Sequence, residues 1–182
     1  HSIVEEVSKL ANIPKPKIYV MKSDISNAFA TGRNPNHAAV AVTTGLLKLL
    51  SNSELKGVLA HEIAHIKNRD ILIATIAATL AGVISYLAQM AQFAAIFGGR
   101  DEDNNMLSMF ILALVAPIAA VIIQLAISRA REYLADESGA RFIKDPLSLA
   151  NALNKLHKDK SVHPLRHGNP ATASLFIVNP FT

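Results

Sequence analysis

The segment His61–His65 (HEIAH) has the HExxH pattern, which places two imidazoles and one carboxylate close together in the chain. On a helix, positions i and i+4 lie on one face, so His61 and His65 can present two ring nitrogens to a single ion. Glu62 lies beside them and is suited to hold a water rather than the ion. This spacing predicts metal-assisted hydrolysis; the alternative is a pair of surface histidines on an amphipathic helix.

A catalytic zinc needs a third protein ligand and one open position. The chain has no cysteine, so this ligand must be His, Asp or Glu. If the two apolar stretches that follow HExxH are antiparallel helices, the chain returns Glu132 to the height of His65 and Asp136 to that of His61. We therefore predict Glu132 as the third ligand and Asp136 as the carboxylate that orients a ligating imidazole. The alternative is that both are ordinary charges on a solvated helix face.

These apolar stretches, Ile71–Gly99 and Met106–Ser128, contain no charged residue. As helices they would span about 40 and 33 Å, and a bilayer core needs about 30 Å. A short polar turn separates them, so the pattern predicts a transmembrane hairpin. A buried hairpin in a soluble helical bundle is the alternative, but the rest of the chain is too short to cover two such helices.

The predicted hairpin comprises residues 71–127, with a short external turn at 99–105, and it interrupts a catalytic domain made of residues 1–70 and 128–182. Positively charged residues flank the hairpin on the catalytic side, namely Lys67, Arg69, Arg129 and Arg131. Such residues stay on the cytoplasmic side of a membrane. We therefore expect a multi-pass protein of the inner or plasma membrane whose catalytic domain faces the cytoplasm.

Local patterns predict the remaining elements. A helix is expected over Ser2–Ala11, followed by three strands and a short helix before HExxH. Ser51 or Ser53 is a candidate N-cap for the HExxH helix, and no breaker precedes the apolar stretch. The expected strands cover Lys17–Met21, Asn27–Gly32 and His37–Gly45. The fold class that follows is α+β, mainly α, with a small β-sheet and an inserted transmembrane helical hairpin.

The composition narrows the choice of partners. Hydrophobic residues make up 51% of the chain and charged residues 18%, with a net charge of +4. No Lys/Arg run is interleaved with aromatic residues, so we expect no nucleic-acid partner. A basic face against anionic lipid headgroups is the better interpretation of the charge. The lipid bilayer and protein or peptide substrates are the expected partners, and the sequence predicts no oligomeric state.

Segments along nearly the whole chain carry a resemblance to a known family: SNAFATG, AVAVTTGLL, LKGVLAHEIAHIKNRD, SRAREYLADESGA and NPATASLFIVNPF. With HExxH, a hairpin and then ExxxD, the chain resembles the HtpX-type membrane-bound zinc metalloproteases, relatives of the CAAX prenyl endopeptidases. The resemblance implies a gluzincin-like fold and one Zn²⁺ per chain on His61, His65 and Glu132. It implies Glu62 as general acid/base in an endopeptidase that clears misfolded or damaged membrane proteins as part of stress response and protein quality control.

The resemblance also implies substrate contacts at Asn27, Ala28 and Phe29, where an edge strand could accept an extended peptide. Members of that family carry further transmembrane helices before the equivalent of His1 and continue past Thr182. We therefore expect this chain to be a fragment that lacks both ends.

Three questions stay open at the level of sequence. The sequence leaves four candidates for the group that stabilises the oxyanion: Tyr133, His163, Arg166 and His167. An intramembrane zinc protease is one alternative function, although both metal motifs lie outside the apolar stretches. A non-catalytic zinc-binding membrane protein is the other, although a structural site usually closes its fourth position with a side chain.

Overall fold

The computed structural model describes residues 1–97 and 103–162. Within them the chain forms six helices and one three-stranded sheet, and is mainly α as predicted. In chain order the elements are α1 (Ser2–Leu10), β1 (Lys17–Met21), β2 (Ala28–Asn34), β3 (His37–Thr43), α2 (Thr44–Leu49), α3 (Asn52–Asn68), α4 (Asp70–Phe97), α5 (Asp103–Ile143) and α6 (Pro146–Val162).

The chain divides into two compact units. One contains His1–Ile71 and the chain from Tyr133 onward, and the other contains Leu72–Glu132. The two dividing points fall inside helices: one inside α4, after Ile71, and one inside α5, after Glu132. The functional boundaries expected at residues 71 and 127, and the placement of each part in cytoplasm or membrane, stay predictions.

The sheet of the first unit has the strand order β1-β3-β2. β1 pairs with β3 in parallel, with Ile18 opposite Val40, and β2 pairs with β3 antiparallel, with Phe29 opposite Ala41. β2 runs past the predicted end at Gly32 through an irregularity in the pairing, where Gly32 has a φ of 143°. All three predicted strands are present; β1 has the predicted ends, whereas β2 is shifted at both ends and β3 ends earlier than predicted.

The core of the first unit lies between the sheet and helices α1, α2 and α3. Its fully buried hydrophobic side chains are aliphatic and include Val7, Val40, Leu46, Val58 and Ile63. Each such side chain contributes about 1.5–3 kcal/mol when it leaves water. Because Val58 and Ile63 belong to α3, this core fixes the helix that carries HExxH.

The first turn of α3 is held by a capping box. The Ser51 side chain accepts a hydrogen bond from the Glu54 backbone N–H, and the Glu54 carboxylate accepts one from the Ser51 backbone N–H at 2.8 Å. This selects Ser51 over Ser53 as the N-cap. The Glu54 carboxylate also contacts Lys155 Nζ of α6 at 2.7 Å. The Lys155 ammonium, followed by the Ser51 backbone N–H, lowers the pKa of Glu54 from 4.5 to about 2.

The junction between α3 and α4 corrects one prediction. The sequence predicts an unbroken helix from HExxH into the apolar stretch, but α3 ends at Asn68 and α4 begins at Asp70. Arg69 between them is left-handed, with φ 56° and ψ 41°, and its N–H bonds the carbonyls of His65 and Ile66. That conformation costs a non-glycine residue about 1–2 kcal/mol, so contacts elsewhere must offset it. Neither glycine nor proline marks the break.

Two features of the later chain extend the prediction. α5 is 41 residues long and continues through Pro117. Helix α6, which the sequence patterns did not predict, packs on α3. At Gly57 of α3 an added Cβ would lie 2.6 Å from the Leu149 backbone nitrogen, so the two helices approach closely at this point.

The second unit consists of the remaining parts of α4 and α5. Two stretches, Asp70–Ala94 and Ala113–Ile143, are long and apolar enough to cross a membrane by length and composition, with mean hydropathies of 2.2 and 1.9. Only 6% of each hydrophobic window is buried among the described residues, whereas a soluble core helix would be mostly buried. Large apolar side chains are therefore exposed along both helices, among them Leu80, Leu87, Phe93, Ile122 and Leu125.

Candidate metal centre

Helix α3 brings the two histidines of HExxH together on its half-buried face. The Nε2 atoms of His61 and His65 lie 3.0 Å apart, and the rings meet edge to face with centroids 4.6 Å apart. The neighbouring residues Ile63 and Ala64 are fully buried in the core. The helix therefore cannot rotate without exposing its apolar face, and the two rings are held in this orientation.

Each imidazole has a carboxylate at its other ring nitrogen. His65 Nδ1 lies 2.7 Å from Asp70 Oδ2 in a hydrogen bond. His61 Nδ1 lies 2.8 Å from Asp136 Oδ1, although these atoms do not meet in hydrogen-bond geometry. A carboxylate only accepts, so it favours a proton on Nδ1 and leaves a lone pair on Nε2. At His65, where the hydrogen bond to Asp70 is formed, the Nε2 lone pair is then directed towards His61 Nε2.

A close approach between α5 and α3 sets the position of Asp136. A Cβ added to Gly139 would lie 3.0 Å from the carbonyl carbon of Ala60 and from the backbone nitrogen of His61. Only glycine allows the helices to approach this closely. Counting back from Gly139, Asp136 and Glu132 stand at i−3 and i−7, so all three residues share one face of α5.

The ligand atoms of His61, His65 and Glu132 all lie within 4.8 Å of one another. Zn–N bonds of about 2.0–2.1 Å in tetrahedral geometry would separate two ligating nitrogens by about 3.3 Å. The observed 3.0 Å between the two Nε2 atoms is close to this value. Two lone pairs at that distance repel unless a proton or a cation lies between them. With a carboxylate as third donor, the side chains fit a zinc ion.

Glu62 is the predicted catalytic carboxylate. It follows His61 directly on α3 and is only 6% exposed. A carboxylate buried beside two imidazoles is shielded from bulk water, which strengthens its electrostatic interactions. The arrangement is suited to proton transfer next to the metal-binding atoms.

The residues expected to contact substrate lie at the start of β2. Asn27 and Ala28 have buried side chains, and the Asn27 carbonyl accepts hydrogen bonds from the Thr43 N–H at 2.9 Å and from the Thr43 hydroxyl at 3.0 Å. In an antiparallel ladder such pairs alternate, so the backbone groups of Ala28 and Ala30 point away from β3. Among the described residues β2 is an edge strand, and it packs against α3. Ala28 is only 1% exposed as a whole residue, backbone included, whereas Phe29 and Ala30 are partly exposed.

Of the four candidates for stabilising an oxyanion, only Tyr133 is among the described residues. Its side chain is strongly exposed and follows Glu132 in α5. His163, Arg166 and His167 lie outside the described residues.

Sequence reasoning missed two residues of this centre. Asp70 was not considered as a partner of His65, because an unbroken helix would direct it elsewhere. Gly139 was not singled out either. Its position seven residues after Glu132 was the available signal, since a glycine inside a helix often marks a close approach.

The sequence profile described as peptidase family M48 matches residues 1–178. The chain belongs to peptidase family M48. Among curated relatives, it is 55% identical over 188 residues to "Protease HtpX homolog" of Syntrophobacter fumaroxidans, covering 100% of this chain and 67% of the relative. The same description applies to relatives in Persephonella marina (57% identical, 99% of this chain and 65% of the relative) and Pyrococcus furiosus (54%, 100% and 64%).

These figures mean that the M48 chain spans about two thirds of the length of the curated relatives it matches. Its fold is similar to the crystal structure of S. mikatae Ste24p, with a TM-score of 0.59 at 23% identity, over 98% of this chain and 47% of that one. The resemblance to HtpX-type proteases is thereby confirmed, and so is the predicted fold class.

Proposed function

We propose that this M48 chain is the catalytic part of a membrane-bound zinc endopeptidase that hydrolyses peptide bonds of misfolded or damaged membrane proteins. The observation that supports it most is the convergence of one ligand atom each from His61, His65 and Glu132 to within 4.8 Å, on the HExxH helix of a peptidase-family chain. Membership of the family supports peptide-bond hydrolysis, and the side-chain cluster supports the metal.

One Zn²⁺ per chain is the proposed cofactor, held by His61, His65 and Glu132. Two imidazoles with one carboxylate, and no cysteine in the chain, form a donor set that suits zinc. When bound, zinc would polarise the scissile carbonyl and lower the pKa of a coordinated water. Asp136 keeps the His61 ring in place through its contact with Nδ1.

Glu62 performs the proton transfers in this proposal. Its carboxylate takes a proton from the attacking water and delivers it to the leaving amine, which is general acid–base catalysis. Burial of Glu62 supports this role, because the proton then stays next to the reacting atoms. Tyr133, His163, Arg166 and His167 stay candidates for the group that stabilises the oxyanion.

The substrate is proposed to lie as an extended strand along the outer edge of β2, near Asn27, Ala28 and Phe29. Main-chain hydrogen bonds from the partly exposed Ala30 would bind peptides of varied sequence. The packing of β2 against α3 supports this placement, since α3 carries the two proposed histidine ligands.

We propose that α4 and the apolar part of α5 cross the bilayer, with the short turn between them outside and the catalytic residues in the cytoplasm. The exposure of their large apolar side chains supports the lipid contact. The basic residues beside the spans support the orientation. The protein is then a multi-pass component of the inner or plasma membrane.

The test uses the full chain in detergent and in proteoliposomes, with zinc analysis and casein proteolysis measured together. Glu62→Gln should retain about one zinc per chain and lose activity by about 100-fold or more. Glu132→Ala should lose both zinc and activity. Glu137→Ala, which removes an exposed carboxylate of α5 that pairs with Arg141, is the matched control and should change neither.

Other results would indicate a different function for this chain. Full zinc occupancy without proteolysis in the unsubstituted chain would indicate a non-catalytic zinc protein. Cleavage confined to a substrate's membrane span, with a soluble loop left intact, would indicate an intramembrane protease. Absence of bound zinc in the unsubstituted chain would contradict the proposal at its first step.

A further inference from the structure

Asp70 contacts a proposed metal ligand from an unexpected position in the chain. Its Oδ2 atom lies 2.7 Å from Nδ1 of His65, and the residue is only 8% exposed. Asp70 is the first residue of α4, whereas His65 belongs to the last turns of α3. The contact therefore joins two helices across the break at Arg69.

The break is what makes this contact possible. In a continuous α-helix, residues five apart point about 140° away from each other, so a carboxylate at position 70 would face away from the ring at position 65. The left-handed Arg69, with φ 56°, turns the chain so that α4 starts beside the His65 ring. The partly buried hydrogen bond between Asp70 and His65, 2.7 Å long, offsets part of the free-energy cost of this conformation.

We propose that Asp70 is a positioning residue for zinc binding, which acts by fixing the His65 ring and its tautomer. The Asp70 carboxylate accepts a hydrogen bond from the Nδ1–H of His65. The lone pair of His65 Nε2 then faces His61 Nε2, which lies 3.0 Å away. This inference rests on the metal site proposed above. Asp70 is not one of the three proposed ligands, and its proposed effect on zinc passes through His65.

A purely structural role is the competing explanation, because an acidic residue in the first turn stabilises a helix N-terminus without any metal. Asp145 provides the matched control. Its carboxylate accepts hydrogen bonds from the Ser148 backbone N–H, at 3.2 Å, and from the Ser148 hydroxyl, at the start of α6. It thus supports a helix start without contacting a histidine.

The experiment measures the Zn²⁺ dissociation constant of the full chain by competition with a chromophoric chelator, and the melting temperature of the metal-free protein. Asp70→Asn should weaken zinc binding about 10–100-fold, as loss of a ligand's carboxylate partner does. The temperature shift produced by saturating zinc should shrink accordingly. Asp145→Ala should lower the melting temperature of the metal-free protein and leave zinc affinity within about twofold of the unsubstituted chain.

A second variant keeps the test decisive. Asp70→Glu retains the charge at a changed distance, so its zinc affinity should lie between those of Asp70→Asn and the unsubstituted chain. If Asp70→Asn does not fold, the loss of affinity in Asp70→Glu relative to the unsubstituted chain decides the outcome. Zinc affinity within about twofold of the unsubstituted chain in both variants would overturn the inference and leave the proposed function intact. If the unsubstituted chain binds no zinc and His65→Ala changes nothing, the proposed function itself fails.

Discussion

Replacement of Gly139 by alanine tests how Glu132, the proposed third ligand, is positioned. The new Cβ would lie 3.0 Å from the Ala60 carbonyl carbon and from the His61 nitrogen, whereas ordinary contacts begin at 3.4 Å. The two backbones must therefore separate by at least 0.4 Å, the difference between these two distances. The atoms that must move are backbone, so no side chain can rotate away to relieve the contact.

We expect Gly139→Ala to change zinc affinity more than it changes the free energy of unfolding. Overpacking costs about 1–3 kcal/mol, and alanine in place of glycine inside a helix returns about 1 kcal/mol, so the net loss of stability is about 0–2 kcal/mol. Metal–ligand distances tolerate only about ±0.2 Å, roughly half of the required shift. Because Glu132 and Asp136 lie on the same face of α5 as Gly139, we expect zinc affinity to fall about 10-fold.

The assay compares Gly139→Ala with Gly82→Ala by zinc titration and thermal unfolding. Gly82 also lies inside a helix, but a Cβ there meets no atom within 4 Å, so only the helix-propensity gain should be seen. Equal zinc affinities for the two variants would contradict the inference that the contact of Gly139 with α3 positions Glu132. A fall in melting temperature alone would indicate that Gly139 serves packing only.

Two further predictions concern the start of α3 and the edge of β2. Since folding lowers the pKa of Glu54 from 4.5 to about 2, its stabilising contribution is fully present above pH 4.5 and is lost as the pH falls towards 2. In metal-free protein the melting-temperature deficit of Glu54→Gln should therefore be constant near neutral pH and shrink at acidic pH; a deficit independent of pH would contradict this. Ala30→Pro removes an N–H that points away from β3, so KM for a peptide should rise several-fold with little loss of stability. Thr31→Pro removes a ladder hydrogen bond instead and should destabilise the sheet; an unchanged KM in Ala30→Pro would exclude the β2 edge as the binding strand.

The sequence was sufficient for those parts of the candidate site that depend on helical periodicity. HExxH places His61 and His65 on one face whatever surrounds them. Counting residues back from the two apolar stretches predicted Glu132 and Asp136 at the height of the histidines, and in the structure Glu132 lies within 4.8 Å of both and Asp136 lies 2.8 Å from His61. Their roles stay predictions. These predictions needed no knowledge of side-chain packing.

Features decided by tertiary contacts could not be predicted in this way. Arg69 adopts a left-handed conformation that local propensity disfavours, so neither the helix break nor the contact between Asp70 and His65 was visible in the sequence. The close approach at Gly139 likewise depends on which face of α5 meets α3. α6 was missed although Asp145 followed by Pro146 is a helix-start signal.

The three proposed ligands differ in their access to solvent. Glu132 is exposed, whereas both histidines are partly buried and each has a carboxylate at its other nitrogen. If these residues hold a metal, a hydrated ion arriving from solution would meet the Glu132 carboxylate first and would exchange its waters for the imidazoles as it moved inward. Departure follows the same route in reverse. The rate of ion exchange should accordingly depend on the freedom of one glutamate side chain more than on the histidine pair.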